Sequence, residues 1–190
     1  KSKINNNYLN SIANEENMSF VLALSKLLKI SQKSFIGSLK SFKGLPHRHE
    51  IFLKKNNKIF INDSKATSFQ ASKFALQSNK NIFWIVGGMP KIGDKFKIGK
   101  LKNNIVKSYI IGNYMKNFKS QLNGKVDFKL SKTLNNAIIS VFKDIKNIAN
   151  KKRATILLSP ASASYDQFRN FEERGNQFKR LIKHYAGKYF

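Results

Sequence analysis

An α/β fold, with a mostly parallel sheet, flanking helices and a short helical stretch ahead of it, is what the amino-acid sequence predicts. Up to Phe42 the apolar residues recur only at helical spacing, and a Lys43-Gly-Leu-Pro46 break follows. Beyond that break, short β-rich runs alternate with helical stretches.

The first helix is expected from Asn14 to about Leu28, because Met18, Val21, Leu22, Leu24, Leu27 and Leu28 recur at helical spacing. A second helix fits Gln32 to Phe42. Gly44 can end a helix and Pro46 turns the preceding residue away from helical geometry, so a domain boundary is placed there, dividing 1–45 from 46–190. Next, Glu50 to Lys54 and Lys58 to Asn62 flank Asn56-Asn57, whose residues tolerate positive φ, and this predicts a hairpin. Strands are then expected at Ile82 to Val86, Ser108 to Ile111, Val126 to Leu130 and Ala154 to Leu158, with crossover helices between them and a long helix beginning about Ser164. In open sheets of this kind ligands sit beyond the carboxyl ends of the strands, so the segments after each run are where chemistry is to be sought.

Composition narrows the class. A chain of 190 residues, 41% hydrophobic, holds one good domain and a fragment of a second. No apolar run approaches the roughly 18 residues of a membrane span, and the opening Lys-Ser-Lys-Ile has neither Met nor a signal-peptide core, so a cytoplasmic piece of a longer protein is expected, without membrane association. With no Cys there are no disulfides, thiolate metal sites or Cys nucleophiles. The formal charge of +26 first suggests nucleic acid. Yet only five of the 36 basic residues are Arg, and Asn and Ile are abundant. That is the set A+T-rich codons favour, with Lys spread over solvated faces and no aromatic-interleaved basic motif, so no specific nucleic-acid partner is expected.

Three strand ends carry polar clusters. Asn62-Asp-Ser-Lys-Ala-Thr67 offers an acid, an amine and two hydroxyls, fit for a ribose, a phosphate or a carboxylate, while a helix N-cap at Asp63 or Ser64 explains it as well except for Lys65. Gly87-Gly-Met-Pro-Lys-Ile-Gly-Asp94 allows close backbone approach, with Lys91 as a point charge. It is not a Walker A loop, since Asp94 stands where that motif needs Lys, and no Gly-x-Gly-x-x-Gly occurs. Ser159-Pro-Ala-Ser-Ala-Ser-Tyr-Asp166 places Ser164 at an expected helix start, which would suit an anion or simply a cap. Near the boundary, His47 and His49 lack a third metal ligand, and Arg48 is suited either to clamp a phosphate or to pair with Glu50.

Taken in order, Phe42-Lys-Gly-Leu-Pro-His-Arg48, Phe60-Ile-Asn-Asp-Ser-Lys-Ala-Thr67, Gly87-Gly-Met-Pro-Lys91 and the run from Leu158 to Phe178 resemble the Mur ligase family, in the branch that adds D-glutamate. The resemblance runs from about residue 14 to residue 182. It implies a Rossmann-like, amino-acid-binding last domain at 46–190, preceded in 1–45 by the last helices of a central ATPase domain. It implies ATP as co-substrate, Mg²⁺ held mainly by the part not in this chain, and D-glutamate and UDP-N-acetylmuramoyl-L-alanine as the molecules joined through an acyl phosphate, by a full-length monomer. By the same resemblance Asn14 and Asn17 contact the nucleotide base, Arg48 and Asp63 the rest of ATP, and Lys65 the reacting phosphate. Thr67, Lys91, Ser164 and the backbone about Phe171 resemble a D-glutamate pocket, which agrees with the donors such a dicarboxylate needs. Ala13, Ser68 and Tyr165 depart from the family pattern. The competing readings are a basic nucleic-acid-binding module and another amide ligase sharing this last domain. Duplex-binding titrations separate the first: a shallow, sequence-blind interaction that vanishes by moderate salt is expected, whereas steep binding persisting at physiological ionic strength would favour the module.

Overall fold

The computed structural model describes Asn6, Leu9, residues 12–146 and residues 153–189. They form two compact units, Lys1–Leu45 and Pro46–Phe190.

In the first unit α1 spans Ile12–Leu27 and α2 spans Gln32–Ser41. Lys29 turns to φ 53 after α1, and Ile30 N–H reaches back to Ser25 C=O at 2.8 Å, closing the helix end. Ser31 caps α2 by accepting from Ser34 N–H. Asn6 donates to the carbonyls of Leu39 and Phe42, which helps satisfy the end of α2. The expected apolar stripe is present, but these two helices do not bury it: Leu24, Leu27 and Leu28 are exposed.

The second unit is a six-stranded sheet in the order β1-β2-β6-β3-β4-β5. Its strands are β1 (Glu50–Lys55), β2 (Lys58–Asn62), β3 (Ile82–Gly87), β4 (Ile105–Ile111), β5 (Phe128–Lys132) and β6 (Ala154–Leu158). The β1–β2 hairpin is antiparallel, with Asn56 and Asn57 at φ 46 and 58, and every other pairing is parallel. The mostly parallel α/β sheet that the sequence predicts is therefore the one found. The helices are α3 (Phe69–Ser78), α4 (Met115–Leu122), α5 (Leu134–Lys146) and α6 (Phe171–Tyr189), with a 3-10 turn at Gly99–Asn104.

Alternation along the strands builds two cores. Phe60, Phe83, Ile85, Tyr109, Ile111, Ile156 and Leu158 face α5 and α6. Ile61, Trp84, Val86, Ile110 and Leu157 face α3, α4 and the 3-10 turn. A parallel sheet needs cover on both faces, which explains why β3 and β6 are buried throughout. The chain leaves β2 and β3 toward one face and β6 toward the other, so a crevice opens at the carboxyl ends of these strands.

Three expectations shift. β4 begins at Ile105 rather than Ser108, because Lys107, although it breaks the apolar run, pairs with β3 and its amine meets Asp144 at 3.0 Å. β5 occupies Phe128–Lys132 rather than Val126–Leu130, because Val126 N–H still bonds to Leu122 C=O at the end of α4 while its side chain is buried in the core. The last helix starts at Phe171, not near Ser164, and turns fill the interval. Among the described residues no helix is long and apolar enough to cross a membrane.

Ile156, fully buried on the central strand β6, tests this core. Ile156→Ala should lower unfolding free energy by about 2–5 kcal/mol, read from the fluorescence of Trp84, the single and buried Trp, in a urea titration.

Candidate active-site crevice

The residues after β2 are held by side chains more than by helix. Asp63, 6% exposed, accepts from His49 N–H at 3.0 Å and from Ser159 Oγ–H at 2.7 Å. Burial pushes its carboxyl up to about 6; the Ser159 and His49 hydrogen bonds and the nearby Arg48 charge oppose that rise. Neither Asp63 nor Ser64 caps α3. Ser68 does, accepting from Ala71 N–H at 3.3 Å.

Asn62 organises the entry to the unit. Its Oδ1 accepts from Ser64 N–H, and its Nδ2 donates to Glu50 Oε2 at 3.0 Å and meets His47 Nδ1 at 2.9 Å. An amide nitrogen can only donate, so His47 Nδ1 is the unprotonated nitrogen of a neutral ring. Burial, then the Lys179 charge, lowers the His47 pKa in agreement. Glu50 pairs with Lys179 at 3.0 Å, and Arg48, for which a phosphate clamp and a pair with Glu50 were the two alternatives, is exposed. His49 stacks edge-on to Phe74 at 5.3 Å. Among the described residues no group of three or more His, Asp or Glu could hold a metal ion.

The loop after β3 lies against the loop after β6. Met89 and Ala163 exchange both backbone hydrogen bonds at 3.0 Å, and Gly87 N–H donates to Pro160 C=O at 2.9 Å. Gly88 sits at φ 135, where a Cβ would run into Ala163 O and Ser162 Oγ. Gly112, at φ 90 after β4, approaches the Gly88 backbone closely enough that a Cβ would lie 2.9 Å from its Cα. Asp166 closes the same corner by accepting from Asn113 N–H at 2.8 Å.

Among the residues read from the sequence, Lys65 and Phe171 meet, with the amine 5.1 Å over the ring. The segments carrying Lys91 and Ser164 join through Met89 and Ala163. Thr67 and Lys91 are exposed. Ser164 is buried and opens a turn, its C=O accepting from Gln167 and Phe168 N–H, so no helix dipole acts there. The helix start lies at Phe171, where Asn170 Oδ1 takes Glu173 N–H. Asn17 is exposed on α1 in the first unit; Asn14 is on the same helix, its side chain outside the described residues.

Sequence reasoning missed Arg174. It is 1% exposed, donates Nε–H to Ser64 Oγ at 3.0 Å, and donates to the carbonyls of Ser64 (2.8 Å), Ser162 (3.1 Å) and Ala163 (3.3 Å). Burial lowers its pKa to about 10, and the Asp166 charge counters that, so the cation persists at neutral pH. The signal was available: Arg174, Phe178, Ile182 and Ala186 recur every four residues along the buried face of α6.

No protein-family model matches the chain. It is 43% identical over 175 residues to the "UDP-N-acetylmuramoylalanine--D-glutamate ligase" of Wolbachia sp. subsp. Brugia malayi, covering 92% of the chain and 35% of that protein. It is 39% identical over 174 residues to the protein of the same name from Nitrobacter hamburgensis, covering 92% and 37%. The chain thus spans little more than a third of the relatives it matches. Among solved structures, MurF from Acinetobacter baumannii superposes with a TM-score of 0.66 at 15% identity, covering 91% of the chain and 38% of that one. MurC from Thermotoga maritima gives 0.60 at 17%, covering 93% and 38%. At these identities the two structures speak for the fold alone.

Because the Asp63 pKa is raised in the folded state, its contribution to stability is fully present below the ordinary value of 3.8 and is lost as pH rises through about 6. Asp63→Asn keeps an acceptor for His49 N–H and can donate to Ser159 Oγ. Its unfolding free energy at pH 7.5 should exceed that of the parent by about 1–3 kcal/mol, and the gain should shrink toward zero at pH 4. Equal gains at both pH values would refute the buried-charge account.

Proposed function

The chain belongs to the Mur ligase family as its carboxy-terminal part, and on that premise we propose that it supplies the amino-acid half of an ATP-dependent ligase joining D-glutamate to UDP-N-acetylmuramoyl-L-alanine. The observation that carries the reading is the convergence of three polar segments at the ends of β2, β3 and β6, each bearing a donor suited to a dicarboxylate.

In this reading the terminal phosphoryl group of ATP passes to the alanine carboxylate. The D-glutamate amine then attacks the acyl phosphate, phosphate leaves with the C–O bond electrons, and the amine proton is released. Thr67, Lys91 and Ser164 hold the D-glutamate carboxylates, and the amide N–H groups of the first turn of α6, at Phe171, add donors. Asp63 takes a ribose hydroxyl, Arg48 a phosphate, and Lys65, held over Phe171, lies toward the transferred phosphoryl group. Asn14 and Asn17 take the base. These residues act by positioning and by fixed charge, and none of them forms a covalent intermediate.

The donor set does not fit Mg²⁺: Asp63 is the sole carboxylate of the 62–67 cluster, and both its oxygens already accept hydrogen bonds. No step is therefore routed through the metal. The sequence contains no Walker A motif, so this chain alone should bind D-glutamate weakly and release no phosphate.

With the preceding part of the protein restored, phosphate release should depend on D-glutamate and on no other amino acid. Lys91→Ala should raise the KM for D-glutamate between about tenfold and a hundredfold, the worth of one hydrogen bond to a charged group, and leave the KM for ATP nearly unchanged. Release that ignores D-glutamate, or prefers another amino acid, would defeat the reading.

A further inference from the structure

Asp94 ends the loop that carries Lys91, and its carboxylate does not stay within that loop. Its Oδ2 accepts from Phe69 N–H at 2.7 Å, 25 residues away in sequence. Phe69 is the first residue of α3 and stands two residues after Thr67. The acceptor is a carboxylate oxygen meeting an N–H at a helix start, a place the helix dipole makes favourable for such a group. At its other end Asp94 N–H donates to Lys91 C=O at 3.1 Å, closing the turn that presents Lys91.

Further contacts brace this joint. The Phe96 ring stacks on the Phe69 ring at 4.6 Å, with 20° between their planes. Gln121, from α4, accepts from Phe96 N–H at 2.7 Å and donates to Asp94 C=O at 3.3 Å. Ser68 caps α3 through Ala71 N–H, and Asp94, from a separate loop, takes the Phe69 N–H that this cap leaves over.

We propose that Asp94 is a positioning residue of the amino-acid site: it ties the Lys91 turn to the start of α3 and so sets the separation of Lys91 from Thr67. The inference rests on the D-glutamate reading. Asp94 touches no substrate in it. It fixes the spacing of two donors that must meet the same small dicarboxylate, and a misplacement of about 1 Å at such a site costs up to about a hundredfold.

The test uses the full-length enzyme carrying this segment, with steady-state phosphate release and thermal melting. Asp94→Ala should raise the KM for D-glutamate by about tenfold or more, with the KM for ATP within about twofold. Asp94→Asn retains an oxygen for Phe69 N–H and should restore most of the affinity. A merely structural role would instead lower melting temperature while leaving the D-glutamate KM in place, or move both KM values together; either result overturns the proposal. Should Asp94→Ala fail to fold, Gln121→Ala loosens the same joint, and an unchanged D-glutamate KM there overturns it equally. If the parent enzyme shows no dependence on D-glutamate, the ligase reading falls and takes this proposal with it. If the parent depends on D-glutamate and the variants match it, only the role of Asp94 falls.

Discussion

A guanidinium sealed from water holds the crevice together. Arg174 reaches from the first turn of α6 into the gap between the segments after β2 and β6, and donates to Ser64, Ser162 and Ala163. Burying a cation is costly, and hydrogen bonds to the Ser64 hydroxyl and to three carbonyl oxygens offset that cost. The planar, multi-donor group satisfies two loops at once, which a Lys ammonium could not do in the same geometry. The paired backbones of Met89 and Ala163 then carry the arrangement on to the segment after β3.

Around that cation the chain is thinned so that backbones can meet. Gly88 and Gly112 press together at positive φ, and Asp166 occupies the space a Cβ would take on Gly112. On the other side, a Cβ on Gly175 would run into the His47 ring, which lies beside Asn62. Small residues and buried polar bonds thus replace the apolar contacts found between strands and helices. Such an arrangement gives a stiff crevice with exposed donors at its rim, Lys65, Thr67 and Lys91 among them.

Much of the fold is legible in the sequence, and the exceptions have local causes. The hairpin is readable from Asn56-Asn57, and β3 and β6 from short β-rich runs. β4 is shortened in a sequence reading because Lys107 looks like a break, although a partner on α5 neutralises it. The start of α6 is misjudged because Ser164 resembles a cap, while the true first turn follows Asn170 and holds Glu172 and Glu173. The apolar stripe of α1 is legible too, yet nothing in two helices can cover it.

By itself, then, the sequence determined the class of the fold, the strand ends where polar residues gather, and the family to which those ordered motifs point. Period and local composition are enough for the first two, since each is set within a few neighbouring residues, while the family rests on the resemblance of four motifs in register. Only the tertiary structure decided which segments touch: that Glu50 answers Lys179 rather than Arg48, that Asp63 is buried and hard to ionise, that Arg174 is a hub, and that Asp94 reaches Phe69. Those outcomes depend on the order in which the strands lie side by side, β6 entering between β2 and β3, and that order brings together residues up to 129 positions apart. No local pattern along the chain encodes such a distance.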